Sequence, residues 1–231
     1  MTGALLALDS STRGGSVAVG VDGRVLSERV LPETQGASGT LLPAVDEVMQ
    51  EAGLAPADIR GVVVGGGPGS FTGLRIASAT AKGLVRALGV PLFAYSGLLG
   101  AAAARRGAGP VCAMFDARNR EVYAGCWTFS DDGLEVVRPV EAGPLDGLID
   151  ALREVRPQFA GEGAWLHAEA LRTVFGTGAV LPPDGASIAA GLLWLAERIP
   201  ASGLVADTAS WEPDYVRAAG ADRIAAEGRT R

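Results

Sequence analysis

Val62–Leu84, VVVGGGPGSFTGLRIASATAKGL, is the stretch from which the rest of the chain is read. A β-branched run enters Gly65, Gly66, Gly67, Pro68 and Gly69, and Ser70 or Thr72 then stands where it caps a following helix. Several N–H groups converge at the positive end of such a helix, which is in principle an anion-binding geometry. The stretch is not a P-loop, which needs Gly-Lys-Ser/Thr at the helix start. Nor is it a GxGxxG, because Ser70 and Thr72 occupy the place of the last glycine. Over the predicted helix Thr72–Leu88, the residues Leu74, Ala77, Ala81, Leu84 and Leu88 form an apolar stripe. Ile76, Gly83 and Ala87 put small or apolar groups on a second side, and Arg75, Ser78, Lys82 and Arg86 supply the polar strip. A helix apolar on two sides is either sandwiched in its own core or lies at an interface, and the pattern alone leaves both open.

Upstream, Leu8–Val19 reads LDSSTRGGSVAV. Asp9 closes a first strand, and Ser10, Ser11, Thr12, Gly14 and Gly15 turn into a second. Such a turn offers hydroxyls and N–H groups to an anion, while the carboxylate can hold a magnesium-bound water. Equally, it can be a tight hairpin in which Asp9 and the hydroxyls satisfy their own backbone. Asp22-Gly23 signals a hairpin into Arg24–Leu31, so the chain opens as an antiparallel meander. Leu41, Val45, Val48 and Ala52 then recur at helical spacing opposite Asp46, Glu47, Gln50 and Glu51, with Gly53 at the C-cap. Gly61–Gly65 and Pro91–Tyr95 read as strands around the Thr72–Leu88 helix, and Ser96–Arg106 as a further helix.

Three strands followed by alternating helices and strands predict a mixed α/β sheet covered by helices. Gly107–Pro110 breaks the pattern, so residues 1–107 are expected to form a first lobe and 108–231 a second, with the extreme C-terminus able to pack back on the first. The second lobe opens with a strand pair, Val111–Asp116 and Glu121–Phe129, which hints at duplication of the plan. After a hairpin at Asp131-Asp132-Gly133 come a helix over Leu145–Arg156, a strand over Gln158–Gly161, a helix over Trp165–Phe175 and a capped helix from Ser187. The Arg-rich end, Arg223–Arg231, is expected to fray.

Composition narrows the function. The chain has 231 residues, nearly half of them apolar, which is enough for a sizeable core and leaves no tract of the disordered kind. A formal net charge of −6 argues against a groove that neutralises many phosphates unaided. No basic segment precedes the first apolar run, and no run is long enough to span a bilayer, so a cytoplasmic protein without membrane contact is expected. Cys112 and Cys126 lack a CxxC spacing and a nearby His, which leaves no zinc site, and they read as small buried residues. His167 is the only histidine and has no HExxH neighbours. A self-contained zinc protease is excluded on ligand count, and a Ser-His-Asp hydrolase lacks a placed imidazole.

GGGPGSFTGLR, together with LDSST, the segment AMFDARNREVYAG (Ala113–Gly125) and PDYVR (Pro213–Arg217), resembles the TsaB (YeaZ) family over essentially the whole chain and in the same order. The resemblance implies a two-lobed actin-like ATPase (ribonuclease H-like) fold, each lobe a mixed sheet with flanking helices. It implies no complete active site and no catalytic residue. It implies an accessory role: pairing with the related subunit TsaD, which together with the ATPase TsaE forms N6-threonylcarbamoyladenosine beside the anticodon of tRNA. Pairing would use the two N-lobe helices, here with Leu42, Val45, Met49, Thr72, Leu74, Arg75, Ile76, Ala77, Ala81 and Leu84 as interface candidates. Without TsaD, relatives form homodimers through the same helices. Nucleotide or anion candidates are Asp9, Ser10, Ser11, Thr12, Gly67, Gly69 and Ser70. No metal or cofactor is implied for this chain, ATP or ADP belonging to the assembled complex, and tRNA is met only through that complex. Family members often carry His-Ser-Glu before Leu-Leu-Pro, where this chain has Ala37-Ser38-Gly39-Thr40, so any contact of that His is missing. TsaD holds its metal through an HxxxH pair that is also missing here.

Two other readings remain. A small-molecule kinase of the same fold would use Asp9 to place Mg²⁺ and Asp116 as base, with Gly161-Glu162-Gly163 as a slim adenosine loop. A tRNA-binding module would need a basic face, for which Arg105, Arg106, Arg118 and Arg120 are the local candidates. Asp116, Arg118 and Glu121 also read simply as a charged turn joining two strands at the mouth of the cleft.

Overall fold

The computed structural model describes residues 3–12, 15–32, 37–117, 121–131, 133–183 and 187–214. Gly14, Arg118, Arg120, Asp132, the end of the PDYVR motif and Arg223–Arg231 lie outside the described residues, as does the side chain of Ala37.

Two sheets share one plan. In the first, β1 (Ala4–Asp9), β2 (Ser16–Val21) and β3 (Arg24–Val30) form the antiparallel meander, while β4 (Ile59–Gly65) and β5 (Leu92–Tyr95) join parallel to β1, giving the order β3-β2-β1-β4-β5. In the second, β6 (Val111–Asp116), β7 (Glu121–Ser130) and β8 (Gly133–Pro144) are antiparallel and β9 (Gln158–Ala160) is parallel to β6, giving β8-β7-β6-β9. Crossovers between the parallel strands bring helices onto the faces, and the strands read as apolar runs because both faces are covered.

Period-two alternation decides what each strand residue meets. Leu6, Leu8, Val17, Val19, Val62 and Val64 share a core with α1 (Ala37–Glu51) and α2 (Phe71–Leu88) on the outer face of the first sheet. Leu5, Ala7, Ala18 and Val63 face the other way, into α7 (Ile188–Arg198). In the second sheet, Cys112, Met114, Val122 and Ala124 pack with α4 (Leu145–Leu152) and α6 (Ala168–Phe175), while Ala113, Phe115, Tyr123 and Trp127 pack with α3 (Gly97–Ala104). The layers therefore run α1/α2, first sheet, α3/α7, second sheet, then α4, α5 (Glu162–Leu166) and α6.

Helix ends follow their caps. Ser70, Ser96 and Ser187 accept from the N–H groups of Gly73, Leu99 and Ala190 at 3.3, 3.4 and 3.2 Å, and Gly89 ends α2 in the left-handed conformation at φ 68°. The helix expected over Leu145–Arg156 stops at Leu152, and the one expected over Trp165–Phe175 is two helices that meet at His167, whose ψ is 21°. The break serves two packing directions: Gly163 and Ala164 lie against β6, whereas Leu171 and Phe175 reach β9, with the Phe175 and Phe159 rings 4.9 Å apart.

The stretch 108–231 does not keep to the second sheet. From Ser187 the chain returns to the first, because α7 is buried from Ala189 to Ala196 and only the space between the two sheets covers it on all sides. Beyond α8 (Pro200–Gly203), residues 204–214 run along the open edge of β5: Val205 N–H donates to Leu92 O at 2.9 Å and Asp214 N–H to Gly66 O at 2.7 Å. Lys82 fixes this strap to α2, donating to Ala209 O at 3.3 Å and lying 3.5 Å from Glu212. Among the described residues, no helix is long and apolar enough to cross a membrane.

Candidate functional site

β1 and β4 are parallel neighbours, so Asp9 at the end of one strand lies beside Gly65 at the end of the other. An alanine Cβ at Gly65 would fall 2.0 Å from Asp9 Oδ1, so the carboxyl occupies the space that any side chain there would need. Asp9 is fully buried. Its two oxygens lie 2.8 and 3.0 Å from Ser11 Oγ, and Oδ2 accepts the Ser11 N–H at 3.2 Å. Ser10 Oγ donates to Gly73 O at 2.8 Å, and Ser70 N–H donates to Ser11 O at 2.7 Å. Gly66 N–H is taken by Tyr95 O, Gly97 N–H by Gly67 O, and Gly69 lies directly against Ser11.

The strand turn and the glycine loop thus face each other and exchange hydrogen bonds. Of the seven nucleotide or anion candidates, Asp9, Ser10, Ser11, Gly69 and Ser70 are in this contact, Gly67 lies instead against Gly97 and Asp214, and Thr12 lines the cleft between the lobes. Both Asp9 carboxyl oxygens are turned to Ser11 within the protein.

Burial pushes the Asp9 carboxyl up to about 6; the Ser11 hydrogen bonds oppose the rise and Glu162, across the cleft, adds to it. A carboxyl raised in the fold binds its proton more tightly there than in the unfolded chain. Its contribution to stability is therefore fullest below the unfolded value near 3.8 and is lost as the pH climbs through 6. Asp9→Asn is expected to stabilise the protein by about 2–3 kcal/mol at pH 8, with the gain shrinking toward zero near pH 4. Urea unfolding at the two pH values measures it.

The interface candidates divide. Val45, Met49, Leu74, Ala77 and Ala81 are buried, which corrects their expected place on a partner-facing surface: the first sheet already uses Val45, Met49, Ala77 and Ala81, and Leu74 lies by Gly67 of the glycine loop. Ile76 and Leu84 are half-buried, and Thr72, Arg75 and Leu42 are exposed, Leu42 at 56%. Arg75 stacks its guanidinium 4.0 Å from the Phe71 ring centroid. Ala79, which the sequence pattern did not single out, is exposed with Gly83 and Ala87, so α2 presents a bare ridge of small residues running from Thr72. The exposed position of Ala79 follows from its being two residues from the buried Ala77 and Ala81.

Among the other candidates, Asp116 closes β6, Arg105 caps α3 and donates to Pro182 O at 2.8 Å and Pro183 O at 3.1 Å, and Arg106 lies over the Trp194 ring. Cys112 and Cys126 are buried opposite each other on β6 and β7, and burial raises both thiols.

Two sheets of one plan, layered with helices and sharing the α3/α7 layer between them, define a two-lobed actin-like ATPase (ribonuclease H-like) fold. Known proteins narrow this further. The family model for TsaD, tRNA N6-adenosine threonylcarbamoyltransferase, matches residues 26–133. The tRNA threonylcarbamoyladenosine biosynthesis protein TsaB of Bacillus subtilis is 34% identical over 176 residues, 75% of this chain and 77% of that one. TsaB of Escherichia coli is 34% identical over 133 residues, 56% and 57% of the two chains. YeaZ from Pseudomonas aeruginosa superimposes with a TM-score of 0.71 at 31% identity, over 92% of this chain and 99% of that one. The chain belongs to the TsaB (YeaZ) family.

Proposed function

We propose that the chain acts in tRNA threonylcarbamoyladenosine biosynthesis as a non-catalytic partner that binds and activates TsaD. The observation that carries this reading is the two-sidedness of α2: Ala77 and Ala81 are used up by the first sheet, while Thr72, Arg75, Ala79 and Gly83 are exposed. Small residues on an exposed helix ridge let a second helix approach closely, and Leu42 on the neighbouring α1 is a further exposed apolar side chain. A strand turn and glycine loop that satisfy one another support a role without chemistry of its own and without a cofactor, leaving ATP to the assembled complex with TsaE. The net charge of −6 supports contact with tRNA through partners rather than alone. In the absence of TsaD the same ridge would pair two copies of the chain. Such a complex works where tRNA is modified, in the cytoplasm.

Depleting the chain is expected to lower threonylcarbamoyladenosine in bulk tRNA, measured by mass spectrometry of digested nucleosides. Re-expression of the native chain should restore it and a Leu42→Asp variant should do so poorly. An unchanged level on depletion removes the assignment.

A further inference from the structure

On the outer layer of the second lobe, a groove of about 750 Å³ lies between α4 and the α5/α6 pair. Asp146, Ile149, Asp150 and Arg153 line it from α4 and its C-cap, at the i, i+3, i+4 and i+7 positions that share one helix face. Leu166 at the end of α5, with Glu169, Ala170, Thr173 and Val174 of α6, lines the other side. Ile149 is buried and Val174 packs on the core of the second lobe, so they form an apolar floor, while Leu166 at the lip is 63% exposed. Three carboxylates and one guanidinium surround this strip. Arg153 and Asp150 satisfy each other at 3.1 Å. The Asp146 and Glu169 carboxylates, one on each side, meet no cation or hydrogen-bond donor among the described residues.

Two helix faces flanking an apolar strip make the kind of groove that an amphipathic helix fills, with its apolar side down and its polar residues at the rims. α4 and α6 have eight residues each, about 12 Å of helix, so the groove takes about two turns of an occupant. The acidic rims repel nucleic-acid phosphates and anionic lipid headgroups. They suit lysine or arginine on both flanks of a docked helix, one side reaching Asp146 and the other Glu169, while leucine-like side chains cover Leu166, Ile149 and Val174. We propose that the α4/α6 groove is a docking site for a basic amphipathic helix of a partner protein. The groove and the α1/α2 face lie on opposite outer layers, so the chain can hold two partners at once. This inference does not rest on the role proposed for α1 and α2.

The probe is a fluorescein-labelled synthetic peptide of leucines and lysines at helical spacing, about 14 residues long, titrated with the full chain and followed by anisotropy. Saturable binding is expected with a Kd below about 100 μM, weakening as salt is added. A peptide of the same composition in scrambled order, and one with glutamate in place of lysine, should each bind at least about tenfold more weakly. Leu166→Ser should weaken the probe by about tenfold, and Asp146→Asn and Glu169→Gln by about two- to fivefold each. Leu204→Ser, at a similarly exposed leucine beside β5, should leave binding unchanged. All of these side chains are exposed, so the urea midpoints should stay at the native value, which separates lost binding from lost folding. No saturation up to about 1 mM, equal binding of the scrambled peptide, or a Leu166→Ser variant that binds as the native chain does overturns the proposal. Self-association of the chain alone that Leu166→Ser abolishes gives the groove to a second copy and also overturns it.

Discussion

Replacing Gly73 with alanine is expected to abolish folding or to cost more than about 3 kcal/mol, a large part of what holds a domain of this size together. Gly73 lies in the first turn of α2, and an added Cβ would sit 1.8 Å from the carbonyl oxygen of Ser10 and 2.9 Å from its carbon. Backbone cannot step aside as a flexible side chain can. The helix would have to lift off the strand turn, stretching the Ser10 Oγ bond to Gly73 O and the Ser70 N–H bond to Ser11 O. Gly83 on the same helix is the control, since an added Cβ there meets no atom within 4 Å. Gly83→Ala should stabilise the monomer by about 0.5–1 kcal/mol through lower unfolded-state entropy. The two alanines on one helix should therefore shift the urea midpoint in opposite directions; a tolerated Gly73→Ala would mean that the loop and the turn do not meet as described.

The second large effect separates core from surface along α2. Ala77→Asp is expected to leave no folded monomer, because Ala77 is fully buried against the first sheet and an ionised carboxylate there would have no solvent, at a cost of several kcal/mol. Ala79→Asp, two residues on and exposed, should change monomer stability by less than about 0.5 kcal/mol while weakening the complex with TsaD. Circular dichroism and size-exclusion chromatography with and without TsaD distinguish the two. Loss of binding by Ala77→Asp with the fold intact would move that side of the helix to the surface.

Much of this fold is legible in the sequence because strand faces follow a period of two. Val17 and Val19 fall together and Ala18 opposite, and the structure sends them to different layers. Helix limits are legible where a cap residue exists, as at Ser70, Ser96, Ser187 and Gly89. The place of α7 is not. Its apolar residues run all around the helix, so periodicity says only that it is enclosed, and which sheet encloses it depends on the non-local return of the chain at Ser187. The same limit applies to α2. Two apolar sides are visible in the sequence, but only the position of β4 beneath it determines that Ala77 is covered and Ala79 is not.

The strand turn and glycine loop show a different limit. Hydroxyls and N–H groups at Ser10, Ser11 and Ser70 mark a spot rich in donors, but a sequence does not say whether donors aim at a ligand or at each other. Here Ser10 reaches Gly73 and Ser70 reaches Ser11, across some sixty residues of chain. Glu162 is a related case: its influence on Asp9 arises from the facing of two lobes, and no local pattern reports it. Arg105 likewise reads locally as a charge near a helix end, although its guanidinium holds the segment around Pro182.

The account is tested most directly by a reconstituted reaction in which purified TsaD, TsaE, ATP, threonylcarbamoyl-adenylate and unmodified tRNA are incubated with and without this chain, and threonylcarbamoyladenosine is counted in the tRNA. Product should form when the chain is present, fall sharply when it is left out or replaced by the Ala79→Asp variant, and be absent when the chain acts alone. Equal product without the chain, or modification and steady phosphate release from ATP by the chain alone, would contradict the account.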